Sequence, residues 1–391
     1  MSYITDNTMH APVAPVKLVS LAGAYDMAKA VNDQLYQNRV EDSKIRTALK
    51  DYPEYIRSNY ILNTEALRLS TGEAKVRFNE SVRGMDLYIF CDITNNSVTY
   101  NMRGKINHMS PDNHFQDLKR VISAANGKAH RITVIMPFLY EGRQHKRSAQ
   151  ESLDCALALQ ELAEYGVSDI ITFDAHDPRV MNAAPLMGFD SFMPTYQFLQ
   201  ALYTSVPDLK VDKDHFMVVS PDEGAMERSI YFSNILNVDM GTFYKRRDYS
   251  RVVDGVNPII AHEFLGDSVE GKDVVIIDDM IASGGSMIDV CKKVKARGCN
   301  RVFVCSTFGL FTKGLAAFDN LYEEGCIDKL ITTNLCYQSP ELLERPYYAT
   351  ANMTKFMAHI INFMNHDIST SQIRSTTLKI NDMMNTKNAS N

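Results

Sequence analysis

The stretch Val274-Val-Ile-Ile-Asp-Asp-Met-Ile-Ala-Ser-Gly-Gly-Ser286 decides how this chain is read. Four β-branched residues run into two adjacent carboxylates, Asp278 and Asp279, and then into a loop of small residues. Beyond it Met287, Val290, Cys291 and Val294 fall at i, i+3, i+4 and i+7, and Gly298 supplies a stop, so a helix is expected. The order is strand, acidic tip, glycine loop, helix. Ser283, Gly284, Gly285 and Ser286 can aim backbone N–H groups and hydroxyls at one phosphate, and a helix N-terminus favours the anion. Asp278 and Asp279 repel phosphate, so they serve something else, sugar hydroxyls or a metal. A phosphate at one end and a diol at the other describe a phosphorylated ribose.

At 391 residues the chain suggests two domains, and 45% hydrophobic residues supply full cores. A net charge of −6 argues against a non-specific nucleic-acid binder. Seven cysteines (Cys91, Cys155, Cys291, Cys299, Cys305, Cys326, Cys336) are scattered without a C-x-x-C pair, the pattern of reduced, buried thiols. The N-terminus carries no charged-then-apolar signal, and no apolar run reaches membrane-spanning length. A soluble cytoplasmic protein with neither membrane nor nucleic-acid partners is expected. Neither G-x-x-x-x-G-K-[ST] nor G-x-G-x-x-G occurs, so any ATP is bound without a P-loop.

Residues 1–15 read as a loose arm. Val16 to Leu35 predicts strand, glycine turn (Ala22-Gly23-Ala24) and helix, and 38–60 a charged helical insertion. Strands are expected at 73–80, 85–91 and 131–137. Ser148-Ala-Gln-Glu151 reads as a capping box opening a helix through Leu153, Leu157 and Leu162. Further strands are expected at 169–174, 216–220, 274–278, 301–305 and 329–333. Strands alternating with helices mean α/β architecture with largely parallel sheets. Two such runs predict two similar domains, 16–195 and 196–366, followed by a mobile polar tail, 367–391.

Several strand tips carry chemistry. Arg143-Gln144-His145-Lys146-Arg147 follows the strand ending at Pro137, where parallel sheets bind ligands; Arg can fork onto phosphate and Gln can read a base edge. Phe173-Asp174-Ala175-His176-Asp177 ends another strand, and His176 between carboxylates suits a divalent ion. Asp222, Gly224 and Arg228 follow the strand ending at Ser220 and can position magnesium and diphosphate together. Phe243-Tyr244-Lys245-Arg246-Arg247, with the polar stretch to Val256, reads as the start of a long loop. Its Lys245 and Arg247 suit a lid that neutralises charge in phosphoryl transfer.

The stretch at 278–286 resembles the PRPP-binding motif of type I phosphoribosyltransferases and of ribose-phosphate diphosphokinases (PRPP synthetases). The remaining blocks are similar to the second family and stand in its order over roughly 16–365. They are Gly72-Glu73 with Glu80-Ser-Val-Arg-Gly84, then Arg143-Gln144, Asp174-Ala-His176, Ser220-Pro-Asp222-Glu-Gly224-Ala-Met-Glu-Arg228, and Lys245-Arg-Arg247. The resemblance implies two phosphoribosyltransferase-like domains related by pseudo-two-fold symmetry, and active sites shared between subunits of a dimer or hexamer. It also implies transfer of the diphosphoryl group of MgATP to O1 of ribose 5-phosphate, giving PRPP and AMP. By the same likeness Glu73, Arg143 and Gln144 bind ATP, and His176 and Asp222 hold Mg2+. Asp222, Gly224 and Arg228 form the diphosphate loop, and Asp278, Asp279 and Ser283 to Ser286 take the ribose 5-phosphate. Lys245 and Arg247 act in catalysis. Departures are His145 for the usual Asp, Ala282 for a third Asp, and Ala225 for a second glycine, which narrows backbone freedom there. A salvage phosphoribosyltransferase and a catalytically silent regulatory homologue are the alternatives.

Overall fold

The structure, a computed structural model, describes residues 11–247, 259–374 and 376–388. The chain divides into two units. The first takes the chain up to Met193, then Asn334–Tyr337 and Met353–Ser375; the second takes Pro194–Thr333, Gln338–Asn352 and the chain from Thr376.

In the first unit β1 (Val16–Ser20) leads into α1 (Tyr25–Ile45). The hairpin β2 (Thr64–Arg68) and β3 (Ala74–Phe78) precedes β4 (Asp86–Phe90), and a second hairpin, β5 (Thr99–Met102) and β6 (Lys105–His108), precedes α2 (Pro111–Ala125). Then come β7 (Arg131–Ile135), α3 (Asp154–Glu164), β8 (Asp169–Phe173) and β9 (Gly188–Phe192). The sheet runs β1-β4-β7-β8-β9 with every pairing parallel, so all its C-terminal tips share one edge. α2 starts where its sequence dictates: Ser110 accepts from the Asn113 N–H, Pro111 fills the first turn, and Asn126 ends it in the left-handed region.

The second unit starts with α4 (Thr195–Ser205), β10 (Phe216–Ser220) and α5 (Met226–Leu236). It continues through β11 (Asp239–Arg247), β12 (Ile259–Leu265), β13 (Asp273–Ile281), α6 (Gly285–Lys295), β14 (Val302–Gly309) and α7 (Ala316–Glu323). β15 (Lys329–Thr333), α8 (Pro340–Leu343) and β16 (Tyr348–Ala351) complete the sheet. Its order is β12-β11-β10-β13-β14-β15-β16, parallel except between β11 and β12. The β-branched run of β13 is explained by two-sided burial. Val274 and Ile276 enter the core that holds α6 and α7, whereas Val275 and Ile277 enter the one that holds α4 and α5. The helix expected after it is α6, with Met287, Val290, Cys291 and Val294 all buried.

The chain then returns to the first unit with α9 (Thr354–Asn365) and α10 (Ser371–Arg374). α9 is tied in by polar and aromatic contacts. Arg39, itself buried, donates to Asn362 and Asn365 at 3.3 and 2.6 Å, and Arg131 forks onto Asp86 while donating to the Met364 carbonyl at 2.7 Å. Phe356 packs edge-on against Phe173 and Phe192. α11 (Thr377–Asn388) belongs to the second unit.

Four local expectations are corrected. The stretch 38–60 is no separate insertion: α1 runs on to Ile45 because Arg39 and Ser43 bury, and a 3-10 turn, Thr47–Asp51, follows. Ser148 does bond to Glu151, yet the helix opens only at Asp154, since the face that buries is Cys155, Ala158, Leu159 and Leu162 while Leu157 stays exposed. The tail is not uniformly mobile: α11 buries Ile380 among Leu199, Leu202 and Phe232, with Met383 and Met384 against the same core. Phe243–Arg247 is strand rather than loop. Buried Phe243 packs against Phe264 with the rings tilted at 58°, and Lys245 and Arg247 pair with His262 and Ile259 of β12. Only the backbone of these two cations is described; the stretch 248–258 lies outside the described residues, as do residues 1–10 of the expected arm and 389–391.

The seven cysteines are free thiols, all buried but the part-exposed Cys326. Among the described residues, no helix is long and apolar enough to cross a membrane.

Candidate active site

β13 delivers Asp278 and Asp279 to the C-terminal edge of the second unit's sheet, beside the tip of its parallel neighbour β10. Asp279 is buried and Asp278 part-exposed. Arg228, from the first turn of α5, reaches both: Nη1 lies 3.7 Å from Asp278 and Nη2 3.6 Å from Asp279. The loop that carries Arg228 is fixed from its own residues. The Asp222 carboxylate accepts from the Gly224 N–H at 3.0 Å, and Ser220 Oγ donates to the Asp222 carbonyl at 2.7 Å. Ala225 stands next in that loop. It sits at φ −92°, open to any residue, so the position exacts no cost for lacking glycine.

Burial, then the neighbouring Asp279, hold the Asp278 carboxyl well above the usual carboxylate range, against the opposing pull of Arg228. A raised folded-state pKa means that the folded protein binds the proton more tightly than the unfolded chain. Stability is therefore lost as pH climbs from about 4, the ordinary carboxylate value, through the raised one. Asp278→Asn is expected to raise the melting temperature near neutral pH, with a gain that shrinks toward about pH 4. Melting curves at several pH values check this.

After Asp279 the chain turns through exposed Ser283 into Gly284, which caps α6 at φ +83° without any side-chain cap. The first amides of a helix have no partner within it, so those after Gly284, with the Ser283 and Ser286 hydroxyls, form an anion-ready terminus. Gly284 has no freedom to be anything else, because a Cβ there would come within 2.5 Å of Phe318.

In the first unit, β7 and β8 are parallel neighbours, and the loops after them meet. At the β8 tip Asp174 takes φ +40°, with its N–H donating to Phe192 O at 2.9 Å. A left-handed, non-glycine residue at a strand tip marks a constrained site. His176 follows, exposed, with its ring 5.4 Å from that of His145. Asp177 is clasped by Arg179 at 2.8 Å and lies 3.5 Å from His145 Nε2; the Arg179 hydrogen bond brings its pKa down to about 2. His145 thus joins the two loops, a role that sequence reasoning missed although its replacement of Asp was the available signal. Arg143 and Gln144 stand exposed on the same loop, where the Gln144 N–H donates to Glu141 O at 2.7 Å. Glu73 is set apart, in the turn of the separate β2–β3 hairpin, and accepts from Thr71 Oγ1 at 3.0 Å.

His176 and Asp222 belong to different units. Among the described residues no three His, Cys, Asp or Glu side chains converge as a metal cluster.

The model of the N-terminal domain of ribose phosphate pyrophosphokinase matches residues 16–166, and that of the phosphoribosyl transferase domain matches 205–315. A ribose-phosphate pyrophosphokinase of Shewanella oneidensis is 30% identical over 315 residues, covering 79% of this chain and 89% of its own length. That of Vibrio parahaemolyticus is 28% identical over 315 residues, covering 78% and 88%. Ribose-phosphate pyrophosphokinase A of Dictyostelium discoideum is 26% identical over 316 residues, covering 79% and 89%. The crystal structure of phosphoribosylpyrophosphate synthetase from Mycobacterium smegmatis shares the fold, with a TM-score of 0.68 at 21% identity over 90% of this chain and 99% of that one. Both expected phosphoribosyltransferase-type α/β domains are therefore present, in order, and the chain belongs to the ribose-phosphate pyrophosphokinase family.

Proposed function

We propose that this enzyme makes PRPP by diphosphoryl transfer from MgATP to ribose 5-phosphate. The observation that carries the reading is the second unit's pairing of a phosphate-ready helix terminus with two carboxylates bridged by one guanidinium. The Ser283–Ser286 loop holds the 5-phosphate, and Asp278 and Asp279 accept from the ribose hydroxyls. O1 attacks the β-phosphorus in line; the O1–P bond forms as the bond to the α-phosphate oxygen breaks, the O1 proton is released, and AMP leaves. Arg228, with Asp222 and Gly224, orients the diphosphate, and Lys245 and Arg247 neutralise its charge as it moves. Arg143, Gln144 and Glu73 bind ATP.

His176 and Asp222 would hold magnesium. An octahedral ion of this kind keeps most of its water and arrives on substrate phosphates, so it needs no all-protein cage. When bound, the ion draws charge from the phosphate oxygens. Free thiols throughout fit a reducing cytoplasm. The active form is a homo-oligomer, a dimer or hexamer, so dilution that dissociates it should abolish activity.

Product analysis tests the reading. The protein is incubated with MgATP, with and without ribose 5-phosphate, and AMP and ADP are quantified. AMP formed only with the sugar phosphate is expected. ADP instead, or no turnover with the oligomer intact, would overturn the assignment.

A further inference from the structure

The β5–β6 hairpin is a two-stranded sheet of its own, joined by a tight turn in which Arg103 and Gly104 both take positive φ. Its residues alternate: Thr99 and Asn101 face solvent, while Tyr100 and Met102 are half-buried. The half-buried face meets the turn that carries Glu73. A Cβ on Gly72, at φ +94°, would come within 2.7 Å of Met102 Sδ, so the sulfur sits directly on that turn. The Arg103 N–H donates to the Ser70 carbonyl at 3.2 Å. Tyr100 lies under the Arg68 guanidinium, 4.7 Å from ring centroid to Cζ. Arg68 in turn donates to the Gly72 carbonyl at 3.4 Å and to Asp117 of α2 at 2.6 Å. Within the turn, Leu69 N–H donates to Glu73 O and Gly72 N–H to Leu69 O, at 2.8 and 2.9 Å.

Glu73 itself is exposed, and a long exposed side chain on a free hairpin tip would sample many positions. Here three independent contacts from one neighbouring hairpin converge on the residues just before it. We propose that the β5–β6 hairpin is a positioning element for Glu73 and through it sets the preference for a donor base bearing an exocyclic amine. A carboxylate accepts from an amine and repels a carbonyl oxygen at the same place, so its position governs discrimination between the two. The inference rests on the reading of Glu73 as an ATP contact.

The test uses Met102→Ala and Tyr100→Ala in the full-length protein, alone and combined with Glu73→Ala. Two readouts are taken: kcat/KM for ATP relative to inosine triphosphate, and amide hydrogen exchange at Leu69 and Gly72 in the free protein. Each hairpin variant is expected to lower the ATP preference about tenfold, chiefly through KM for ATP, as a displaced contact does. The KM for ribose 5-phosphate stays unchanged, exchange at the two amides quickens, and the loss of preference vanishes in the Glu73→Ala background. The same loss in that background, or a preference and exchange rates both equal to the parent's, would overturn the proposal. If Glu73→Ala alone leaves the preference intact, the ATP reading of Glu73 fails and the preference half of the proposal falls with it. The exchange rates then decide separately whether the hairpin holds the turn.

Discussion

Gly284→Ala is expected to raise the KM for ribose 5-phosphate about a hundredfold, which is close to 2.7 kcal/mol at 1.36 kcal/mol per tenfold. Two costs combine. At φ +83° an L-residue pays about 1–2 kcal/mol that glycine does not. The new Cβ would also fall 2.5 Å from Phe318 Cε2 and 2.7 Å from Cζ, closer than carbon atoms pack. Phe318 cannot retreat: it is 1% exposed and held edge-on by Phe311 at 5.4 Å. The loop must move instead, and the amides after it swing off the phosphate. Melting temperature should fall as well, by about 2–4 °C per kcal/mol for a unit of this size. Adding Phe318→Ala removes the overlap but not the φ cost, so it should recover part of the affinity. An unchanged KM for ribose 5-phosphate in Gly284→Ala would mean that this loop does not hold the phosphate.

Lys245→Ala is expected to lower AMP formation about 10²–10³-fold, the usual loss when one donor aimed at developing charge is removed. Both substrate KM values should change little, because a group that acts on the transition state alone contributes to kcat. The strand setting sharpens the expectation. Backbone pairing of Lys245 with His262 in the β11–β12 ladder fixes the main chain from which the cation extends, so little entropy is spent positioning it at each turnover. Rapid-quench measurement of AMP, with oligomeric state checked by sedimentation, reads the effect. Normal kcat with a raised KM for ATP would make Lys245 a ground-state binder instead.

Much of the fold was legible because local and global preferences agree. The β-branched run at 274–277 needs burial on both faces, and the i, i+3, i+4 pattern after it needs one buried helix face; the structure satisfies both. What escaped depends on partners distant in sequence. The helix at 377–388 hides in a polar composition, because among its described side chains it is Ile380, Met383 and Met384 that meet the core. Lys245 and Arg247 look like loop residues until β12 supplies an antiparallel partner. Arg228 read as a diphosphate ligand, and its approach to Asp278 and Asp279 depends on the sheet order that sets β10 beside β13. The positive φ of Asp174 leaves a faint trace in residue type, since Asp tolerates that region better than most residues but adopts it in few places.

The return of α9 to the first unit bears on how the protein is made. Synthesis runs from the N-terminus, so Phe173 and Phe192 leave the ribosome long before Phe356 exists to pack against them. At about 5–20 residues per second the gap lasts on the order of ten to thirty seconds, during which β10 to β16 are laid down. The second unit waits in its turn for Ile380. Each unit thus holds apolar surface open until α9 or α11 has been made, an interval in which nascent chains depend on chaperones. A fragment cut at Met193 would keep that surface open permanently, and only one carrying the 353–375 segment, supplied in trans or by permutation, would close it.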